Sequence, residues 1–95
     1  MSKREKILKR IRENKLVMKS LGVRRLGLFG SFAIGNATSS SDIDFLVEFE
    51  NKTFDAYMDL KLFLENLFHR DIDLVIKDSL KPRLKKAVLN QVVYA

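Results

Sequence analysis

Apolar residues recur along this chain with two different periods. Ile43, Phe45, Val47 and Phe49 alternate with Asp44, Leu46 and Glu48, so residues 43–49 predict a strand with one continuous apolar face. Asp42 stands at its start, on the side shared by Asp44 and Leu46. The same alternation puts Ile72, Leu74 and Ile76 on one face of a second strand and Asp71, Asp73 and Val75 on the other. A shorter strand is expected over residues 25–29. Elsewhere the period is helical. Ile7, Ile11, Met18 and Leu21 form a stripe that predicts one helix over residues 3–20, with Ser2 and Glu5 spaced as a capping box and Gly22 as its stop. Leu60, Leu64 and Leu67, extended by Phe54 and Tyr57, predict a helix over residues 53–68. A last helix should be capped by Ser79, carry Pro82 in its first turn and use Leu84, Val88 and Leu89 as its apolar side. Residues 32–34 can begin a short helix, and residues 35–41 are a polar loop. The order is helix, strand, short helix, strand, helix, strand, helix. It predicts an α/β (α+β) fold, a small mixed β-sheet with helices on one face.

Composition narrows the chemistry. Ninety-five residues with 46% hydrophobic and 32% charged positions suit one globular domain over residues 1–95 rather than a disordered chain. No apolar run reaches the ~20 residues needed to cross a bilayer, and the charged N-terminus does not lead into a signal-peptide core. A cytoplasmic location and no membrane contact are expected. The absence of Cys excludes thiol nucleophiles and Cys-based zinc sites, and the single His69 disfavours a Ser-His-Asp triad. His69 follows a helix end, where a capping or exposed role is expected. Any metal must rest on carboxylates, which favours Mg²⁺, Mn²⁺ or Ca²⁺. The charge is uneven: residues 1–25 hold ten Lys or Arg against Glu5 and Glu13, while residues 26–95 hold eight against ten acids. That basic segment suits an anionic partner, or simply a solvated helix face. Arg24 and Arg25 are read as a solvated strand edge.

Asp42 and Asp44 share one face at the start of the strongest strand, within reach of one hard cation. Asp73, from the next strand, joins them if the two strands lie side by side. Three converging carboxylates repel one another without a cation, and a pair of Mg²⁺ ions is the natural occupant, suited to displacement at phosphorus. By itself an Asp-x-Asp step can equally be turn chemistry. Gly30 and Ser31 follow a strand and precede a short helix. There a phosphate can approach the backbone closely, with the Ser31 hydroxyl as an added donor. No P-loop lysine or kinase Gly-rich loop is present.

Gly30 and Ser31, ten intervening residues, and then Asp42, Ile43 and Asp44 resemble the signature of the DNA polymerase beta superfamily of nucleotidyltransferases. The wider pattern is similar to the minimal nucleotidyltransferase (MNT) family. It comprises Leu28, Phe29, Gly30, Ser31, Phe32, Ala33, Gly35 and Ala37, then residues 41–49, then Ile72, Asp73, Leu74 and Val75, then Leu80, Lys81 and Pro82, and finally Val93 and Tyr94. The resemblance implies that Asp42 and Asp44 bind two Mg²⁺ ions and that Asp73 is the third catalytic carboxylate, near the attacking hydroxyl. It implies that Gly30 and Ser31 bind the nucleoside triphosphate. It further implies transfer of AMP from ATP to a tyrosine of a HEPN-domain ribonuclease toxin, which makes such a protein an antitoxin. Two positions depart from the family pattern. Ile34 stands where an Arg is usual, which removes a cation near the phosphates, and Gln91 stands where Glu is frequent.

Two other readings follow from the same residues. One is a small-molecule nucleotidyltransferase of the aminoglycoside-modifying kind. The other is a non-catalytic antitoxin or RNA-binding module that uses residues 1–25. The sequence leaves open the acceptor residue, the base preference, the number of nucleotides transferred and the oligomeric state. A protein acceptor fits the small size best, because it supplies its own surface. Replacing Lys9, Arg10 and Arg12 with Gln should then leave nucleotide chemistry intact and slow only partner association, with a modest salt effect, in a binding-rate measurement.

Overall fold

Residues 3–20 do not form one helix in the computed structural model, which describes residues 1–95. α1 (Lys3–Glu13) stops at Asn14, and α2 (Lys15–Ser20) resumes beyond it. The cause is local. The Asn14 side-chain amide donates to the Arg10 carbonyl at 2.8 Å, and its backbone N–H reaches back to Ile11, so the residue competes with the helical ladder. Ser2 is the N-cap of α1 and accepts from the Glu5 N–H, as its spacing predicts. Gly22, at a φ of 82°, turns the chain out of α2 into β1 (Val23–Phe29). There follow α3 (Ser31–Ile34), β2 (Ile43–Phe49), α4 (Phe54–Phe68) and β3 (Ile72–Ile76). A 3₁₀ turn (Lys77–Ser79), α5 (Pro82–Gln91) and β4 (Val93–Tyr94) complete the chain. The expected bounds of β2 and β3 match, while β1 begins two residues earlier than expected.

The sheet order is β3-β2-β1-β4. β1 is antiparallel to both β2 and β4, and β2 is parallel to β3, so the sheet is mixed. The parallel pair needs a crossover, and α4 supplies it. β4 was not among the expected strands. Its two residues pair only with Gly27 and Leu28, too short a run for an alternation to announce.

One face of the sheet carries the core. Leu28, Ile43, Phe45, Val47 and Leu74 pack there against Ile7, Leu8 and Ile11 of α1, Met18 of α2, and Leu60 and Leu64 of α4. α1, α2 and α4 therefore share one face, as expected. The other face is thinner. Leu46 is buried outside the main cluster, and the segment after α5 lies over it. A Cβ on Gly27, the partner of Leu46 across the ladder, would run into Val92 and Tyr94. Glycine is needed at 27 because another part of the chain crosses that close.

Three expected details differ. Phe54 does not extend the α4 stripe; it stands 76% exposed beside the Thr53 N-cap, whose hydroxyl accepts from the Ala56 N–H. Tyr57 does pack inward, and its hydroxyl donates to the Leu74 carbonyl at 2.7 Å. Ser79 closes the 3₁₀ turn instead of capping α5, because Lys81 occupies the N-cap position and Pro82 follows it directly. The apolar side of α5 is not covered: Leu84 and Leu89 remain exposed, and the helix buries no residue. His69 adopts a left-handed conformation as the C-cap of α4, the capping role expected of it. No helix is long and apolar enough to cross a membrane.

Leu60 is fully buried, so Leu60→Ala should destabilise the fold by about 2–5 kcal/mol, read as a lower urea midpoint. Phe54→Ser should change the unfolding free energy from the same titration by no more than about 0.5 kcal/mol.

Candidate active site

β1 ends at Phe29, directly opposite Asp44 on β2, and Asp44 in turn lies beside Asp73 on β3. Side chains level with one another across a ladder point to the same face, so Asp44 and Asp73 emerge together on the face away from the main core. The chain leaves β1 through Gly30, at φ 71° and ψ −152°, a conformation that disfavours any side chain. Its Cα also lies against the Asp44 carboxylate, which a Cβ at position 30 would strike. Gly30 is thus required twice, by its backbone angle and by the carboxylate next to it. Ser31 follows as the first residue of α3, where backbone N–H groups have no partner within the helix.

Asp42 precedes β2 and is exposed, as is Asp73, whereas Asp44 is half-buried between Gly30 and Asp73. Burial pushes the Asp44 carboxyl up to about 6, and the Asp73 charge, a hydrogen bond with Asp73 and the Asp42 charge push in the same direction. None of the molecule's ion pairs involves these three residues. The expected convergence therefore holds most closely for Asp44 and Asp73, with Asp42 near enough to act on Asp44 through its charge. As the side chains stand, no three His, Cys, Asp or Glu residues form a complete metal cage. Mg²⁺ is ordinarily held by one or two carboxylates together with substrate phosphates and water. The donors are hard anionic oxygens with no cationic neighbour paired to them, so the residues present fit such an ion.

Three further residues shape this region, and only one of them drew notice in the sequence. Arg70 donates from Nη1 to the Ser39 carbonyl at 3.0 Å and the Ser41 carbonyl at 2.8 Å, and its guanidinium lies 5.2 Å from the Phe32 ring centre. It ties the polar loop to the turn before β3 and so fixes the approach to Asp42. Nothing in the periodicity marks it. Gln91 accepts the Gly30 N–H through Oε1 at 3.3 Å, linking the end of α5 to the turn beside Asp44. Arg4 donates to the Ala33 carbonyl at 3.1 Å, bringing a cation next to α3, while Ile34 is exposed.

Residues 4–95 match the model of the nucleotidyltransferase domain. The chain belongs to the nucleotidyltransferase family. Among relatives of this nucleotidyltransferase is the protein adenylyltransferase MntA of Thermococcus cleftensis. It is 45% identical over 74 residues, covering 77% of this chain and 75% of the relative. A solved structure described as a minimal nucleotidyltransferase superposes with a TM-score of 0.82 at 35% identity, covering 98% of this chain and 95% of that one. A chain of a solved complex, described as tri-AMPylated Shewanella oneidensis HEPN toxin with MNT antitoxin, matches at 26% identity and a TM-score of 0.60. That match covers 97% of this chain and 67% of the other.

The raised Asp44 value fixes the sign of a stability change. The folded state holds the Asp44 proton more tightly than the unfolded chain does. Stability is therefore lost as pH rises from the ordinary carboxylate value of 3.8 through about 6. In a chelator-containing buffer, Asp44→Asn should melt at the same or a higher temperature than wild type above pH 6. The two curves should converge at the acid end of a pH series.

Proposed function

We propose that this nucleotidyltransferase moves AMP from ATP onto a hydroxyl of a HEPN-domain toxin, a tyrosine in our reading, and thereby acts as its antitoxin. The adenylyltransferase relative and the AMPylated toxin bound to an MNT antitoxin support the reaction and the partner. The observation in this chain that carries the reading is the packing of the Asp44 carboxylate, beside Asp73, against the glycine of the Gly30–Ser31 turn.

In this reading the triphosphate lies along the turn, where the absent side chain of Gly30 gives room and the Ser31 hydroxyl donates to a phosphate oxygen. Asp42, Asp44 and Asp73 would hold Mg²⁺, two ions in our reading, which neutralises the charge of the phosphates when bound. The acceptor hydroxyl oxygen forms a bond to the α-phosphorus, the bond from that phosphorus to the bridging oxygen breaks, and pyrophosphate leaves. In this reading Asp73, exposed beside Asp44, receives the hydroxyl proton. No hydrogen bond joins the Ser31 hydroxyl to a base that would make it a nucleophile, so the role we assign it is to hold phosphate. Arg4, beside Ala33, supplies a cation near α3 where Ile34 offers none.

The test is incubation of the protein with labelled ATP, Mg²⁺ and its HEPN partner. Asp42→Asn and Asp44→Asn should each lower label transfer by orders of magnitude while the circular dichroism spectrum stays native. Transfer at a rate near wild type would remove the carboxylates from the mechanism. Ser31→Ala should lose about 1–3 kcal/mol of transition-state binding in kcat/KM, the range for a hydrogen bond to a charged group. No adenylylated Ser31 should appear by mass spectrometry.

A further inference from the structure

After α5 the chain runs back along β1 in antiparallel register. Val93 pairs with Leu28 and Tyr94 with Gly27, and the Ala95 N–H donates to the Leu26 carbonyl. In an antiparallel ladder, hydrogen-bonded rungs alternate with open ones. Leu26 and Ala95 form a bonded rung, Leu28 and Val93 stand at the next, and the one after would join Gly30 to Gln91. There the Gly30 N–H would donate to the backbone carbonyl of residue 91. Gln91 still belongs to α5, however, and the backbone ladder has already ended. No backbone oxygen accepts the Gly30 N–H. The Gln91 side chain supplies the oxygen instead, and its Oε1 accepts that N–H at 3.3 Å. A side chain thus stands in for the missing rung.

The residue it holds is the one whose own sterics restrict it least. Gly30 has no Cβ to select its φ of 71° and ψ of −152°, so contacts from outside must do so. Its carbonyl accepts from the Ala33 and Ile34 N–H groups at 3.0 and 3.1 Å, which fixes the peptide group on the α3 side. Gln91 holds the N–H on the β1 side.

We propose that Gln91 is a positioning residue for the nucleotide: by holding the Gly30 N–H it keeps the Gly30–Ser31 turn in the shape that receives the triphosphate. This rests on the proposed placement of the triphosphate along that turn. A turn already fixed when the nucleotide arrives loses less freedom on binding, and the difference appears as affinity. The Gly30 N–H is itself in use, so the donors this turn offers to phosphate are those of Ser31. Gln91 is exposed, at the end of a helix that buries no residue, so replacing it disturbs the fold little and isolates the effect on the site.

The experiment compares Gln91→Met and Gln91→Glu with the wild-type chain. Methionine has a similar length without an oxygen acceptor, whereas glutamate keeps one. In a calorimetric titration with the non-hydrolysable analogue AMP-PNP and Mg²⁺, Gln91→Met should bind about five-fold more weakly or worse, the scale of one hydrogen bond. Gln91→Glu should bind at least about two-fold more tightly than Gln91→Met, because the Gly30 N–H regains an acceptor. Without nucleotide, both variants should melt within about 4 °C of wild type. The Gly30 amide should exchange faster with solvent in Gln91→Met than in the other two chains. Unchanged affinity in Gln91→Met overturns the proposal, and so does a Gln91→Glu chain that binds no better than Gln91→Met. A wild-type chain that binds no AMP-PNP removes the triphosphate from the turn and this role with it. One that binds AMP-PNP with the expected order of affinities, yet transfers nothing to a HEPN partner, bears out the role of Gln91 and overturns the transfer reading alone.

Discussion

The register of β2 between its two neighbours is the constraint on which this molecule depends. β2 lies antiparallel to β1 and parallel to β3, and both pairings place Asp44 on a rung with a residue that matters: Phe29, just before the Gly30 turn, and Asp73. Side chains alternate strictly along a strand. A slip of one residue would send Asp44 into the core and bring Phe45 out. The same register that buries Ile43, Phe45 and Val47 thus delivers two carboxylates to the opposite face. Core and site are specified by one alternation, and neither can be altered without the other.

That economy explains what could be read from the sequence. In β2 and β3 every core-facing position is apolar while Asp44, Glu48 and Asp73 fall between them, so their bounds and the facing of Asp44 and Asp73 follow from period alone. Gly30 is legible as a turn whose backbone a phosphate could approach, though not as a residue pressed against Asp44. The misses share a different physics. Asn14 breaks the first helix through a side-chain bond to Arg10, a competition that the stripe of Ile7, Ile11 and Met18 does not reveal. Phe54 fits the α4 period but stands at the first turn, beyond the sheet it would have covered. β4 is two residues long. Arg70 and Gln91 act on backbone groups of distant loops, and contacts of that kind leave no periodic trace.

Little of the site belongs to its own helix or strand alone. The Gly30 turn is tied by Gln91 at the end of α5, the loop before Asp42 is tied by Arg70 at the start of β3, and α3 is met by Arg4 from α1. Three distant segments thus converge on a short stretch of irregular chain. This is how a small protein can hold a polar loop in one shape without burying it. α5, in contrast, contributes Gln91 while leaving Leu84 and Leu89 in solvent.

β3 is the outermost strand on the side away from β4, and Asp73 sits exposed as its second residue, beside Ile72, Leu74, Val75 and Ile76. An edge strand of that composition is a template for unwanted pairing with another copy, and a charge within it is one way proteins prevent it. The exposed charge of Asp73 opposes such pairing, apart from the part proposed for it in AMP transfer. Neutralising it leaves a five-residue run of mostly β-branched residues at a free edge. A variant at this position that yields less soluble protein has lost a gatekeeper, and its activity has to be judged on the monomer that remains.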